Sequence, residues 1–166
     1  GRTCYAGKIA QFRLLRNDMD ERIRLLERWL AAAAAGRAFR LAPASADASF
    51  RRYFRVHWAD GAATQIAMDA PPDKEDCRPF VKVAALLRDA GLNAPRVLAQ
   101  DLAQGFLLLT DLGAQTFLDV LDDASAPALF SSATDALVTW QLASRPGVLP
   151  PYDEAVLRRE MALFPE

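Results

Sequence analysis

The sequence contains a single histidine, His57, and only two cysteines, Cys4 and Cys77. One imidazole removes most histidine-based metal sites and Ser-His-Asp chemistries at once. The cysteines lie far apart with no metal-ligand spacing, which reads as a reduced cytoplasmic chain and not a disulfide scaffold. An excess of either charge is missing too: 20 Lys and Arg stand against 21 Asp and Glu, a net charge of -1. Nothing in that balance calls for nucleic acid as a partner. No apolar run approaches membrane-spanning length. The nearest candidate, Arg28 to Gly36, is short and alanine-dominated, and Asp20, Glu21 and Glu27 stand where a secretory signal needs positive charge. Neither a membrane nor a secretory route is expected.

What remains is the composition of a soluble globular chain. Of 166 residues, 52% are apolar and 25% charged, enough for one good core or one domain with a piece of another. Ile23, Leu26, Trp29 and Leu30 recur at helical spacing, with Asp20 as N-cap and Gly36 as stop. From Phe50 the pattern switches to alternation. Phe50, Arg52, Phe54, Val56 and Trp58 point one way, Ser49, Arg51, Tyr53, Arg55 and His57 the other, as in a strand with one face on a core. Asp60-Gly61 turns the chain into a returning strand, Thr64 to Met68. A preceding strand is predicted over Ala38 to Ala42, with a turn from Pro43 to Ala48.

Met68-Asp-Ala-Pro-Pro72 ends the sheet run, because paired prolines cannot continue a ladder. A helix over Cys77 to Arg88 follows, lined by Phe80, Val83, Ala84 and Leu87 and ended by Gly91. Pro95 to Gln100 and Phe106 to Leu109 read as two strands joined by a tight turn at Ala103 to Gly105. Beyond Gly113 the pattern becomes helical: Phe117 to Leu121, Pro127 to Leu142, and a last helix capped by Asp153 that carries Val156, Leu157, Met161 and Phe164. With so much of its helical part ending at Glu166, the 114–166 segment is expected to leave Trp140, Leu157, Met161 and Phe164 uncovered and to be prone to aggregation or partial disorder.

The small residues from Ser45 to Ser49 form a loop between strands, where backbone N–H groups can approach a phosphate closely. Three strands, a helix, two strands and then helices is the layout of the small lobe of a protein-kinase-like fold. The phrases Ser45-Ala-Asp-Ala-Ser-Phe-Arg-Arg-Tyr-Phe-Arg-Val56, Met68-Asp-Ala-Pro-Pro72, Gly105-Phe-Leu-Leu-Leu-Thr-Asp-Leu-Gly113 and Leu149-Pro-Pro-Tyr-Asp153 then become specific. They resemble the aminoglycoside phosphotransferase superfamily, and within it the anomeric N-acetylmuramate/N-acetylglucosamine kinases of cell-wall recycling.

That resemblance implies an α+β fold: a protein-kinase-like N-terminal lobe with a five-stranded antiparallel sheet plus helix, followed by the first helices of an incomplete C-terminal lobe. It divides the chain into a leader or non-family extension over 1–18, a nucleotide-binding lobe over 19–113 and a truncated helical lobe over 114–166. It implies ATP and magnesium as cofactors and a small-molecule sugar as partner, in the cytoplasm. Nucleotide-binding residues carried over by position are Ser45, Asp47, Ala48 and Ser49 in the phosphate-covering loop. Arg52 and Met68 belong to the sheet, and Thr110, Asp111 and Leu112 to the hinge between lobes.

Two departures from the pattern stand out. Kinase-like folds place a lysine on the third strand, paired with a glutamate on the following helix. Here Thr64 to Met68 has no lysine and Cys77 to Arg88 no acid. Losing both together is coherent, since either alone would be an unpaired buried charge. Arg51, Arg52, Lys74 and Lys82 are the candidate replacements. Secondly, the family's H-x-D phrase is missing, for His57 is followed by Trp58-Ala59-Asp60 on an early strand. No catalytic residue or metal ligand is assigned within the chain; the base and the magnesium ligands are expected only beyond Glu166, and the chain alone is expected to be inactive. Asp111 is readable as a metal ligand or a turn residue, and Asp69 as a nucleotide contact or a turn. The alternatives for function are a kinase for another small hydroxyl compound, such as an aminoglycoside, and a non-catalytic kinase-like binding module.

Overall fold

The computed structural model describes residues 21–46 and 50–163, with the backbone alone at Ser45 and Ala46. The 1–18 extension, the Asp20 cap and Phe164 therefore lie outside the described residues, as do Asp47, Ala48 and Ser49 of the loop. The described chain begins in a helix, α1, over residues 21–33. It stops where the sequence indicates, with Gly36 in the following turn donating its N–H to the Ala31 carbonyl at 3.0 Å. Leu26 and Leu30, one turn apart, are fully buried.

Five strands follow: β1 (Phe39–Ala46), β2 (Arg52–Trp58), β3 (Gln65–Asp69), β4 (Val97–Asp101) and β5 (Phe106–Thr110), with the helix α2 (Cys77–Asp89) between β3 and β4. They form one antiparallel sheet in the order β1-β2-β3-β5-β4. Its two faces are covered by different helices. Val56, Trp58, Ala67, Phe106 and Leu108 pack with Leu26 and Leu30 of α1. Met68, Leu107 and Leu109 pack with Cys77 of α2, flanked by Tyr53, Ile66 and Phe80. The period-two alternation of β2 separates these two clusters.

Two expectations are corrected. The first strand runs through Pro43 to Ala46 instead of ending at Ala42, with a register shift between Pro43 and Ser45. Proline lacks a donor, but an edge strand with a bulge has room for it, so Pro43 no longer forces the turn. Phe50, predicted on the apolar face of β2, precedes the strand and is 63% exposed. Alternation counts only where ladder pairing begins, which is at Arg52.

The Asp76 side chain caps α2 by accepting from the Arg78 N–H, and Pro79 falls in the first turn, where no donor is needed. The turn before β5 is fixed by one close approach. Ala70 donates its N–H to the Gly105 carbonyl at 2.9 Å, while Gly105 sits at φ +74 with its Cα against the Ala70 carbonyl oxygen. A Cβ at 105 would overlap that oxygen, so the Met-Asp-Ala-Pro-Pro phrase and the Gly-Phe-Leu-Leu-Leu phrase are spatial partners. Three helices complete the described chain: α3 (Phe117–Val120), α4 (Ala126–Ala143) and α5 (Glu154–Met161), the last capped by Asp153. They contain no buried residue, and Phe130, Leu137, Leu142, Leu157 and Met161 are exposed. No helix among the described residues is long and apolar enough to cross a membrane.

Candidate functional site

Both faces of the sheet carry charged residues, and those on the α2-facing side are Arg51, Arg55 and their partners. Along β2 this face presents Tyr53 and Arg55, with Arg51 just before the strand; along β3 it presents Ile66 and Met68. Met68 is fully buried against Cys77, so the third-strand position that faces the helix is filled by a thioether where the sequence lacks lysine. At one end of the face β5 leads into residues 110–113. There Arg55 donates through Nε to one carboxylate oxygen of Asp111 at 2.6 Å and through a terminal nitrogen to the other at 3.2 Å. Arg55 also reaches the Gly113 carbonyl at 3.0 Å. Thr64 Oγ1 and the Gly113 N–H complete the carboxylate's donors at 2.7 and 2.9 Å.

Asp111 thus closes its own turn and ties β2, the start of β3 and the segment after β5 to one carboxylate. The Arg55 hydrogen bond is the main cause that lowers its pKa to about 2, assisted by Thr64 and Gly113 against the cost of partial burial. Only 6% of its side chain is exposed.

The opposite end of the same face holds a second pair. Arg51 donates to Glu75 at 3.2 Å, joining the chain just before β2 to the turn that enters α2. Burial works against the Arg51 charge, but hydrogen bonds to Glu75 and Tyr53 outweigh it and raise the pKa. A groove of about 270 Å³ opens beside this pair, lined by Arg51, Phe80, Val83, Ala84, Leu87 and Pro95. A larger groove, about 880 Å³, lies elsewhere, between the end of α2 and residues 140–151, and includes none of the sequence-predicted site residues.

Arg52 belongs to the other face. It donates to Asp69 through Nε at 3.0 Å and through a terminal nitrogen, while Arg22 of α1 donates to the second carboxylate oxygen. Arg22 also reaches the Gln104 carbonyl at 2.9 Å and lies 4.7 Å over the Phe106 ring. Asp69 is fully buried between two arginines, neither closing a turn nor facing the α2 side.

The structure therefore does not gather the sequence-predicted residues. Met68 lies on the α2 face paired with Tyr53 and Leu107, while Thr110 pairs with Gln65 at the far end of β5 and alternates with Phe106 and Leu108. Asp111 and Leu112 follow it, and Arg52 is on the α1 face. Ser45 is described as β1 backbone paired with Tyr53, and Asp47, Ala48 and Ser49 lie outside the described residues. Sequence reasoning missed Arg55 as the partner of Asp111 and Glu75 as the partner of Arg51. Among the described residues no group of three or more His, Cys, Asp and Glu is placed to hold a metal ion.

A profile of the phosphotransferase enzyme family matches residues 40–166. The chain belongs to this family. The family assignment gives the α+β architecture its meaning: the five-stranded sheet with α2 is the N-terminal lobe of a kinase-like fold. Among curated proteins, the chain is 63% identical over 126 residues to an N-acetylmuramate/N-acetylglucosamine kinase of Pseudomonas aeruginosa, covering 76% of this chain and 37% of the relative. A protein of the same name from Pseudomonas putida is 52% identical over 126 residues, again 76% of this chain and 37% of the relative. One from Neisseria meningitidis serogroup B is 44% identical over 145 residues, 85% of this chain and 42% of the relative. The chain therefore spans 37–42% of the length of these curated relatives.

Proposed function

We propose that this chain is the nucleotide-binding part of an ATP-dependent amino-sugar kinase, acting on N-acetylmuramate and N-acetylglucosamine at the anomeric hydroxyl. The observation that carries the reading is the 63% identity to the Pseudomonas aeruginosa relative of that name. The α2-facing side of the sheet supports it. Ile66, part-buried over the Met68 and Leu109 core, gives an apolar contact beside the 110–113 segment, whose backbone groups are at the end of β5.

In the reaction the sugar's anomeric oxygen forms a bond to the γ-phosphorus, the bond to the bridging β,γ-oxygen breaks, ADP leaves, and the hydroxyl proton passes to a base. This chain's residues bind and orient the nucleotide. The base and the magnesium carboxylates would come from the length that the relatives possess and this chain lacks. Magnesium would supply charge neutralisation on the phosphates. A consumer of ATP with these substrates works in the cytoplasm.

The test is a panel assay of the intact protein with ATP and N-acetylmuramate, N-acetylglucosamine, kanamycin or choline, following ADP release. ADP release dependent on either amino sugar supports the proposal. Turnover only with kanamycin or choline moves the protein to another acceptor, and nucleotide binding without turnover under every condition makes it a binding module.

A further inference from the structure

Arg55 and Asp111 are 56 residues apart in the chain, and the strands that carry them, β2 and β5, are not neighbours in the sheet. The register puts Arg55 opposite Ile66 and Ile66 opposite Leu109, so these three form one row across β2, β3 and β5. Asp111 comes two residues after Leu109, past the last pair of the ladder. Arg55 therefore reaches beyond the start of β3 to meet it, and Thr64, which leads into β3, donates to the same carboxylate.

The effect falls on residues 110–113. One guanidinium holds both ends of the turn: Nε and a terminal nitrogen donate to the two Asp111 oxygens, and the same terminal nitrogen donates to the Gly113 carbonyl at 3.0 Å. The Gly113 N–H returns to the Asp111 carboxylate at 2.9 Å. On the other side Thr110 is held by Arg96, whose carbonyl accepts the Thr110 N–H at 3.0 Å and whose N–H donates to Thr110 Oγ1 at 2.9 Å. Between these ties, the backbone N–H and C=O groups of Asp111 and Leu112 make no hydrogen bond among the described residues.

We propose that Arg55 is a positioning residue of the nucleotide site: by clamping Asp111 and Gly113 it holds the free backbone groups of Asp111 and Leu112 in the arrangement that meets the edge of a nucleobase. The inference rests on the nucleotide-site reading given above and adds the side chain that sets the shape of the base-binding segment.

Two features favour this role over that of an ordinary ion pair between strands. First, the bond to the Gly113 carbonyl does nothing for the carboxylate; it fixes the far end of the turn. Second, a segment left loose would have to be ordered when the ligand binds, and ordering one backbone residue is worth about tenfold in affinity. A clamp made on folding removes that cost from binding. The Arg37–Asp60 pair is the natural comparison. It has the same two-nitrogen geometry, but it lies at the β2–β3 hairpin turn, with 42% and 55% of its side chains exposed.

The test measures binding of ATP and adenosine to the intact protein by calorimetry, and amide exchange at Gly113 by NMR. The proteins compared are the native sequence, Arg55→Met, Arg55→Lys, Asp111→Asn, the Arg55→Met/Asp111→Asn double variant and Arg37→Met. Arg55→Met is expected to weaken ATP and adenosine alike, by about tenfold, and to speed exchange at Gly113 while Leu107 in β5 keeps its native rate. Arg55→Lys should recover part of the loss, since an ammonium lacks the planar fork that spans Asp111 and Gly113. The double variant should bind within about twofold of Arg55→Met, because both changes break one tie. Arg37→Met should bind like the native protein. A loss confined to ATP, no loss of either ligand, or an equal loss in Arg37→Met overturns the assignment while the nucleotide-site reading stands. Should Arg55→Met fail to fold, Arg55→Lys decides: weaker adenosine binding with faster Gly113 exchange supports the role, and native values for both overturn it. Absence of ATP and adenosine binding by the native protein overturns both the role and the reading.

Discussion

Arg52 and Asp69 face each other across the β2–β3 ladder, and their side chains are joined by an ion pair on the face that α1 covers. Arg22 reaches the same carboxylate from α1, so one buried acid connects the helix to two strands. Removing the acid leaves two arginines in a place built for their partner. Asp69→Asn is expected to lower the unfolding free energy by about 3–5 kcal/mol. Arg52→Met should cost clearly less, since Arg22 still neutralises the acid. Urea denaturation of the three proteins checks this, and equal losses for both variants would contradict the shared-carboxylate account.

Asp111 makes the protein's acid stability depend on pH in a defined direction. Its folded pKa, near 2, is below the ordinary 3.8, so the carboxylate is stabilised in the folded state. That contribution is fully present above about pH 4 and disappears as pH falls through 2. A shift of this size corresponds to at most about 2.5 kcal/mol. The Asp111→Asn protein should accordingly be less stable than the native one at pH 6, with the gap narrowing between pH 4 and pH 2. Thermal unfolding across that range is the measurement, and a constant gap would mean the Arg55 pair contributes no charge-dependent stability.

The Gly105–Ala70 approach predicts an unequal response to the same small substitution. Gly105→Ala adds a methyl group that meets the Ala70 carbonyl at a positive φ, and should cost at least about 2 kcal/mol. Gly61 also has a positive φ, +73, but nothing lies within 4 Å of a Cβ there. Gly61→Ala should carry the backbone cost alone, about 1 kcal/mol. Chemical denaturation of both variants compares them directly.

Much of this arrangement is written locally in the chain. Alternation in β2 separates Arg52, Phe54 and Val56 from Tyr53 and Arg55, and this alone predicts which residues share a face. The Asp60-Gly61 turn brings β3 back antiparallel, and counting outward from it places Arg52 opposite Asp69, a pairing that the sequence contained and that reading strand by strand overlooked. The partners that were not legible come from far away. Arg22 is 47 residues from Asp69 and Arg55 is 56 from Asp111, and their bonds depend on how α1 and residues 110–113 settle on the sheet. Glu75 is invisible for a related reason. It precedes the helix in which an acid was sought, and reads as a residue favourable to the helix N-terminus. Pro43 misled in the opposite way, because a local rule against proline yields at a bulged edge.

The measurement that bears most directly on the account is a backbone-amide chemical-shift titration of the intact protein with a non-hydrolysable ATP analogue. The account predicts perturbations at Tyr53, Arg55, Ile66, Met68 and residues 109–113, with Leu26, Trp29 and Leu30 on the α1 side unmoved. Shifts concentrated on the α1 face, or in the groove between α2 and residues 140–151, would contradict it.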